Sequence, residues 1–361
     1  MNLRQTLLLL LLVLVPALVT AADHAPAAPV PTSVDDLVSL FNPDIFALDA
    51  QGQAVHGMTN AFTSPASDIA REVSANNNFN ISIYLPFLIL PELMLLYIIF
   101  RFRDRKDGRK PATFMGNHTL EIIWTAIPCL ALLAVVVPAW NLLWKMELPP
   151  ADKERALIVE VRGKSFAWDY KYQQDGISIG QDVAGGQEPL VLENGRAVIL
   201  NITSNDVNHA WWIPAFGVKK DAIIGRYTNT WFTPDTLGVF KGQCAELCGQ
   251  GHGIMFISSV VVTPEQFTLY RTLQRHRNDT VKLWNELSPA AQGNQETVAQ
   301  LVAKYLEKGD SPDRRLALRF WIASNYSSVA RLHQEKLKPA QVVELGKSRL
   351  ALVDKLLAAV H

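Results

Sequence analysis

The sequence predicts a membrane-anchored fold in three parts: a two-helix transmembrane hairpin, a β-rich Greek-key domain and a helical C-terminal extension. Three patterns predict it. Two apolar stretches, about Ile81 to Phe100 and about Ile122 to Trp144, each match the roughly 20 residues that cross a bilayer's hydrocarbon. Beyond them lie short β-rich runs broken by Gly, Pro and Asp. From 264 onward, Leu, Ala, Glu, Lys and Arg recur at helical spacing.

In chain order, Met1-Asn2-Leu3-Arg4, the apolar run Leu7 to Val19 and the small residues Thr20-Ala21-Ala22 match a secretory signal peptide over 1–22; a retained signal anchor is the alternative. Residues 23–80 are polar, with scattered Pro, Ala, Ser and Asn, and read as an exported arm. The hairpin takes 81–145. Its first span carries Pro86, Pro91 and Glu92. A carboxylate facing lipid is costly, so Glu92 is expected to face protein. Arg101, Arg103, Arg105, Lys106, Arg109 and Lys110 make the connecting loop strongly basic, which places it in the cytoplasm. The exported N-terminus and everything after Trp144 then lie on the periplasmic or outer face of a bacterial plasma membrane.

The β-rich domain spans 150–263. Ala156 to Val161, the alternating Trp168, Tyr170 and Tyr172, Ala197 to Ile202, and Ile257 to Val262 read as strands. Pro264-Glu265-Gln266-Phe267 resembles a helix start, and 264–361 reads as a helical extension whose role the sequence does not disclose. Lys+Arg and Asp+Glu each number 34 in 361 residues, which gives no support to nucleic-acid binding.

The chemistry is concentrated in one loop. Of three cysteines, Cys129 lies in the second span and reads as a small buried apolar residue. Cys244 and Cys248 share a segment with His252 and Met255: four soft or borderline ligand side chains within twelve residues, a set that suits copper. The two cysteines alone read equally well as a disulfide, since this side of the membrane is oxidising. His252 and Met255 at the next fitting positions argue for metal, and Met argues against zinc. Two thiolates can bridge two metals, leaving each to find one imidazole and one weaker ligand. His209, beside Trp211 and Trp212, would be the second imidazole; Met255 and the backbone carbonyl of Glu246 would be the weaker pair.

The motif Cys244-x-Glu246-x-Cys248-x-x-x-His252-x-x-Met255, with His209 upstream, resembles the binuclear CuA centre of cytochrome c oxidase subunit II. Phe216 to Ala222, Gly225-Arg226 and Glu121-Ile122-Ile123-Trp124-Thr125 resemble the same family, and the likeness covers about 80 to 263. It implies a cupredoxin-like copper domain that accepts electrons from cytochrome c and passes them to the haem centres of subunit I, with subunit III as a further partner, coupled to O2 reduction and proton pumping. It also implies that the Glu246 carboxylate reaches a Mg2+ shared with subunit I, and that Glu121 sits at the entrance of a proton path. Electrons would enter at Phe166, where the family usually has Trp, with Trp168 of the same strand parity as a second candidate. Ile224 replaces the usual Pro before Gly225, and ordinary members lack the extension.

Two other functions compete. A CuA-type nitric oxide reductase has a similar subunit. A membrane-bound copper carrier needs only one Cys for a single copper, so the pair argues against it. With eight His and no haem site to be found, the chain holds no catalytic centre of its own, and the O2 site lies in a partner.

Overall fold

The computed structural model describes residues 64–103, 113, 115–180, 189–277 and, further on, 300, 303–307, 309–325, 351, 354, 355, 357 and 358. The signal peptide, the exported arm up to 63, the loop residues 104–112 and much of the extension lie outside the described residues. The described residues divide into two compact units, one within 71–148 and the other comprising 64–70 and those from 149 onward.

The first unit is the hairpin. Helix α1 spans Asp68–Arg101 and α2 spans His118–Glu147, and both are long and apolar enough to cross a membrane. α1 begins well before the expected start at Ile81: the polar stretch Asn76–Asn80 continues the helix outward. α2 starts at an Asn117 cap whose side chain accepts from the Leu120 N–H. Both helices keep two prolines inside, Pro86 and Pro91 in α1 and Pro128 and Pro138 in α2. At the far end, Lys145 pairs with Glu72.

The second unit is a sandwich of two five-stranded sheets. Its strands are β1 (Leu157–Lys164), β2 (Ala167–Tyr172), β3 (Ile177–Gly180), β4 (Leu190–Glu193), β5 (Val198–Ser204), β6 (His209–Ile213), β7 (Val218–Ala222), β8 (Thr228–Phe232), β9 (Gly238–Cys244) and β10 (Phe256–Val262). One sheet runs β3-β2-β1-β5-β8 and the other β4-β10-β9-β6-β7. The β1–β5 and β4–β10 pairs are parallel, and the rest antiparallel. This is the cupredoxin-like arrangement the sequence predicts. The four expected strands all form. β3, β4 and β6 to β9 are further strands that the sequence analysis did not place, because their apolar runs are short, as in β4 and β6, or interrupted by polar residues, as in β3 and β7 to β9.

Alternation fills the space between the sheets. β1 buries Leu157, Val159 and Val161, and β2 buries Trp168, Tyr170 and Tyr172. Phe232 stacks on Phe216 at 4.6 Å between centroids and on Trp211 at 6.3 Å. The Tyr172 hydroxyl donates to the Val191 carbonyl and accepts from the Val191 N–H, both at 2.9 Å, tying one sheet to β4 of the other. Helix α3 (Pro264–Arg275) starts where the sequence predicts, with Pro264 in its first turn and a reciprocal cap between Thr263 and Gln266. It buries Phe267, Tyr270 and Leu273 and places Phe267 and Tyr270 against Tyr172. Arg271 and Arg275 close on Asp175. In the extension, α4 (Pro312–Asn325) buries Ala317 and Leu318, and Arg319 pairs with Asp354.

The first turn of α1 belongs to this unit. The Ala66 N–H donates to the Ala215 carbonyl and the Ser67 hydroxyl to the Phe216 carbonyl, while Asp68 accepts from the Thr233 N–H. Gly217, at φ 71°, lies so close that an added Cβ would stand 2.6 Å from the Ala70 Cα. Gly217→Ala should therefore destabilise by about 2–5 kcal/mol, adding a left-handed penalty to overpacking. Gly225 also has positive φ but open space around it. Gly225→Ala should cost only the conformational part, about 1–2 kcal/mol. Denaturant melts of the two variants check the order, and equal losses would contradict the close approach at Gly217.

Candidate metal centre

The site is built by β6 and the β9–β10 hairpin. Cys244 ends β9, Met255 directly precedes β10, and Glu246, Cys248 and His252 lie on the loop between them. Both loop ends are pinned: the Cys244 N–H donates to the Met255 carbonyl and the Ala245 N–H to the Ala210 carbonyl, each at 2.9 Å. His209 opens β6, which pairs with β9 through Trp211 opposite Cys244. His209 follows β5 and is the first residue of β6, where it pairs with Ala222 of β7.

Every candidate ligand of the sequence analysis arrives in one place. The Cys244 and Cys248 sulfurs are 3.8 Å apart, and both thiols are free. His209 Nδ1 lies 3.8 Å from the Cys244 sulfur, and His252 Nδ1 lies 3.6 Å from the Cys248 sulfur. Met255 Sδ is 3.8 Å from the Cys248 sulfur, and the Glu246 carbonyl oxygen is 3.2 Å from that of Cys244. His209, Cys244, Cys248 and Met255 are buried, His252 is half-buried, and Glu246 is exposed. Such a donor set fits copper: two thiols, two imidazole nitrogens, a thioether and a carbonyl, secluded from water.

Asp206 went unnoticed in the sequence analysis. Its carboxylate is 2.9 Å from His209 Nε2 and also accepts from the Ser165 N–H at 2.6 Å. The contact turns Nδ1 toward the sulfurs and holds a proton on Nε2. Only the i, i+3 spacing of Asp206 and His209 could have signalled it. Burial alone would raise the Asp206 carboxyl, but the bonds to His209 and Ser165 outweigh it and hold it low. Burial alone would likewise lower His209, yet its bonds to Cys244 and Asp206 raise it. A metal at Nδ1 would compete with a proton for that nitrogen.

Glycines make room around the ring and the loop. A Cβ at Gly163 would stand 2.7 Å from His209 Cδ2. One at Gly251 would stand 2.4 Å from the Phe166 ring, and one at Gly249 would be 3.3 Å from it. Phe166 thus lies half-buried on the metal loop itself. The expectation of shared strand parity with Trp168 is corrected: Phe166 is in the β1–β2 turn, because the hairpin reverses at Ser165–Phe166. Trp168 is fully buried, edge-on to His209 with centroids 5.9 Å apart. Glu121 sits in the first turn of α2, in the other unit, 3.0 Å from His118 Nδ1.

The two thiols cannot ionise independently. Burial opposes ionisation of Cys244, but hydrogen bonds from His209 and the Ala210 backbone bring it down to about 6. Burial and the charge on Cys244 push Cys248 up to about 12. The pair then titrates as a unit carrying one negative charge over the neutral range. Absorbance titration of the metal-free Cys129→Ser protein should show one thiolate forming near pH 6 and a second only toward pH 12. Cys248→Ser should remove the upper step alone. Two thiolates formed below pH 9 would contradict this.

Two family profiles match the chain: "Cytochrome C oxidase subunit II, transmembrane domain" over residues 54–142 and "Cytochrome C oxidase subunit II, periplasmic domain" over 177–262. Cytochrome c oxidase subunit 2 of Cereibacter sphaeroides is 31% identical over 279 residues, covering 68% of this chain and 89% of the relative. That of Phytophthora megasperma is 31% identical over 225 residues, covering 57% and 83%. The crystal structure of the periplasmic domain of subunit II of cytochrome oxidase of Bradyrhizobium japonicum aligns at 34% identity, with 35% of this chain and 96% of that one covered, at a TM-score of 0.32. These matches lend no support to the nitric oxide reductase reading. The chain belongs to the cytochrome c oxidase subunit II family: a membrane-anchored subunit of a respiratory terminal oxidase, with its copper domain in the periplasm.

Proposed function

We propose that Cys244 and Cys248 bridge two copper ions, with His209 and His252 as imidazole ligands and Met255 and the Glu246 carbonyl as the weaker pair. The observation that carries this reading is the convergence of all six donors about two sulfurs 3.8 Å apart. When bound, the copper pair supplies one-electron redox chemistry. The protein's own part is to fix the ligands and keep them dry. Asp206 orients His209, the pinned loop ends hold Cys244 and Met255, and buried Trp168 and Trp211 exclude water nearby. A rigid, dry site limits the rearrangement that accompanies electron transfer.

Electrons come from cytochrome c across Phe166, which reaches the surface of the domain and rests on Gly249 and Gly251 of the ligand loop. They leave toward a haem-bearing subunit I, with subunit III as a further partner. Leu247 and Ile254, 79% and 64% exposed on the same loop, suit an apolar protein contact. Glu246 turns its carbonyl to Cys244 while the residue stays exposed, leaving its carboxylate to hold a Mg2+ shared with subunit I. Glu121, at the cytoplasmic end of α2, marks the entrance of a proton path.

Metal analysis and electron paramagnetic resonance should find two coppers per chain and a mixed-valence signal. Cys248→Ser should abolish the signal, since a hard hydroxyl does not replace a bridging thiolate. Met255→Leu should keep most of the copper and shift the potential. One copper per chain, or equal copper loss in both variants, would overturn the assignment.

Phe166→Ala should slow oxidation of reduced cytochrome c by about 10- to 100-fold in stopped flow, through a lengthened, misplaced approach. Copper content should be unchanged and the stability loss about 1–2 kcal/mol, as for a half-buried ring. Unchanged kinetics in the fully metallated variant would remove Phe166 from the route.

A further inference from the structure

Helix α1 carries one charged residue across its apolar stretch from 81 to 100: Glu92. It lies about 14 Å along the axis from Arg101, near mid-span. Glu92 is exposed and has no hydrogen-bonding or charged partner among the described residues. Its immediate neighbour Pro91 has no N–H, so the Phe87 carbonyl one turn earlier also lacks its helical donor. The span therefore shows two hydrogen-bond acceptors at a depth where lipid offers no donor.

The spacing around Glu92 defines a face. Leu85, Leu88, Glu92, Leu95 and Ile99 follow a 3-4-3-4 rhythm, the seam by which one helix packs along another in membrane bundles. Leu88, Leu95 and Ile99 are 69%, 53% and 53% exposed, so the seam is open among the described residues. Lipid is a poor occupant, because an uncompensated carboxyl near the bilayer centre is costly. A second copy is also poor, since the same seam sets carboxyl against carboxyl, and two acids sharing a site cannot both ionise.

We propose that this face of α1 docks against a membrane helix of another subunit of the oxidase, and that the helix presents a hydrogen-bond donor to Glu92. The inference rests on membership of a multisubunit oxidase, and on no property of the copper site. Glu92 is in this view a specificity element: it selects the register in which the donor meets the carboxyl, because every shifted register leaves it unpaired.

The test uses the intact complex, purified through this chain, with haem content as the measure of assembly. Glu92→Gln keeps a polar group able to meet the donor and should assemble normally. Glu92→Leu leaves the partner's donor buried and unpaired and should lower haem recovery roughly tenfold or more. Normal haem recovery with Glu92→Leu would overturn the proposal. A second measurement is independent of assembly yield. In a Cys129→Ser background, the Glu92→Cys thiol should react about tenfold more slowly with a lipid-soluble maleimide in the assembled complex than in the chain freed of its partners. The Leu90→Cys thiol, about 200° around the helix, reports the access of reagent to the opposite face. Equal rates for Glu92→Cys in the two states would show a lipid-facing carboxyl and end the proposal. Copper resonance is recorded on every sample. Its absence would count against the copper assignment and leave the labelling result standing.

Discussion

Two thiols held 3.8 Å apart in a buried pocket set the terms for the rest of this domain. Without a cation between them, only one can carry charge at neutral pH, because the second would ionise beside an existing thiolate in a medium that screens it poorly. The site is consequently asymmetric when empty of metal: Cys244 leans on the His209 ring, and Cys248 holds its proton. A bound pair of cations would remove that asymmetry by neutralising both sulfurs at once. The donor geometry is largely formed beforehand, with imidazole, thioether and carbonyl already beside the sulfurs. Binding metal then costs little rearrangement and mainly displaces protons.

The sandwich supplies this preformation through backbone, which is why the site tolerates so little change around it. Cys244 and His209 lie on neighbouring strands, so their separation is fixed by ladder spacing rather than by loop conformation. His252 and Cys248 lie on the loop, but the Cys244 N–H closes its two ends on the Met255 carbonyl and the Ala245 N–H fastens it to the Ala210 carbonyl of β6. Gly163 and Gly251 are small because side chains occupy the space beside them: the His209 ring in one case and the Phe166 ring in the other. A residue such as Gly251 carries no chemistry, yet any side chain there would move the aromatic that lies on the ligand loop.

The parts legible in the sequence were those with a chemical signature or a long period. Cys244, Cys248, His252 and Met255 announce themselves by ligand type and spacing, and the two spans by length and apolarity. His209 was legible only once the loop had been found short of imidazoles. What the sequence concealed depends on contacts distant in the chain. Asp206 is an ordinary loop acid until the fold puts His209 Nε2 against it. Phe166 and Trp168 look equivalent by parity, but the hairpin reversal separates them into a half-exposed turn residue and a buried core residue. Strands β7 and β8 escaped because Lys219, Lys220, Asp221 and Asn229 interrupt their apolar alternation.

The departures from the family pattern can be read by the same physics. Ile224 stands where Pro is usual, and the turn survives because its demand falls on Gly225, which takes φ 69°. The Arg226 N–H still closes the turn on the Ile223 carbonyl, and Ile224 forms a bridge to Ser204 at the edge of the sheet. Pro would preset this turn without adding a contact to it, so its loss changes the unfolded chain more than the folded one. Phe166 in place of Trp is a different kind of change. Phe keeps the aromatic bridge to the ligand loop but gives up an indole N–H at the surface. A docking contact built on Phe166 loses a hydrogen bond and retains apolar area. The acids and bases nearby are already paired, Asp169 with Lys164 and Glu160 with Arg162. A donor that docked at this face, as proposed, would therefore depend more on shape and apolar burial than on charge.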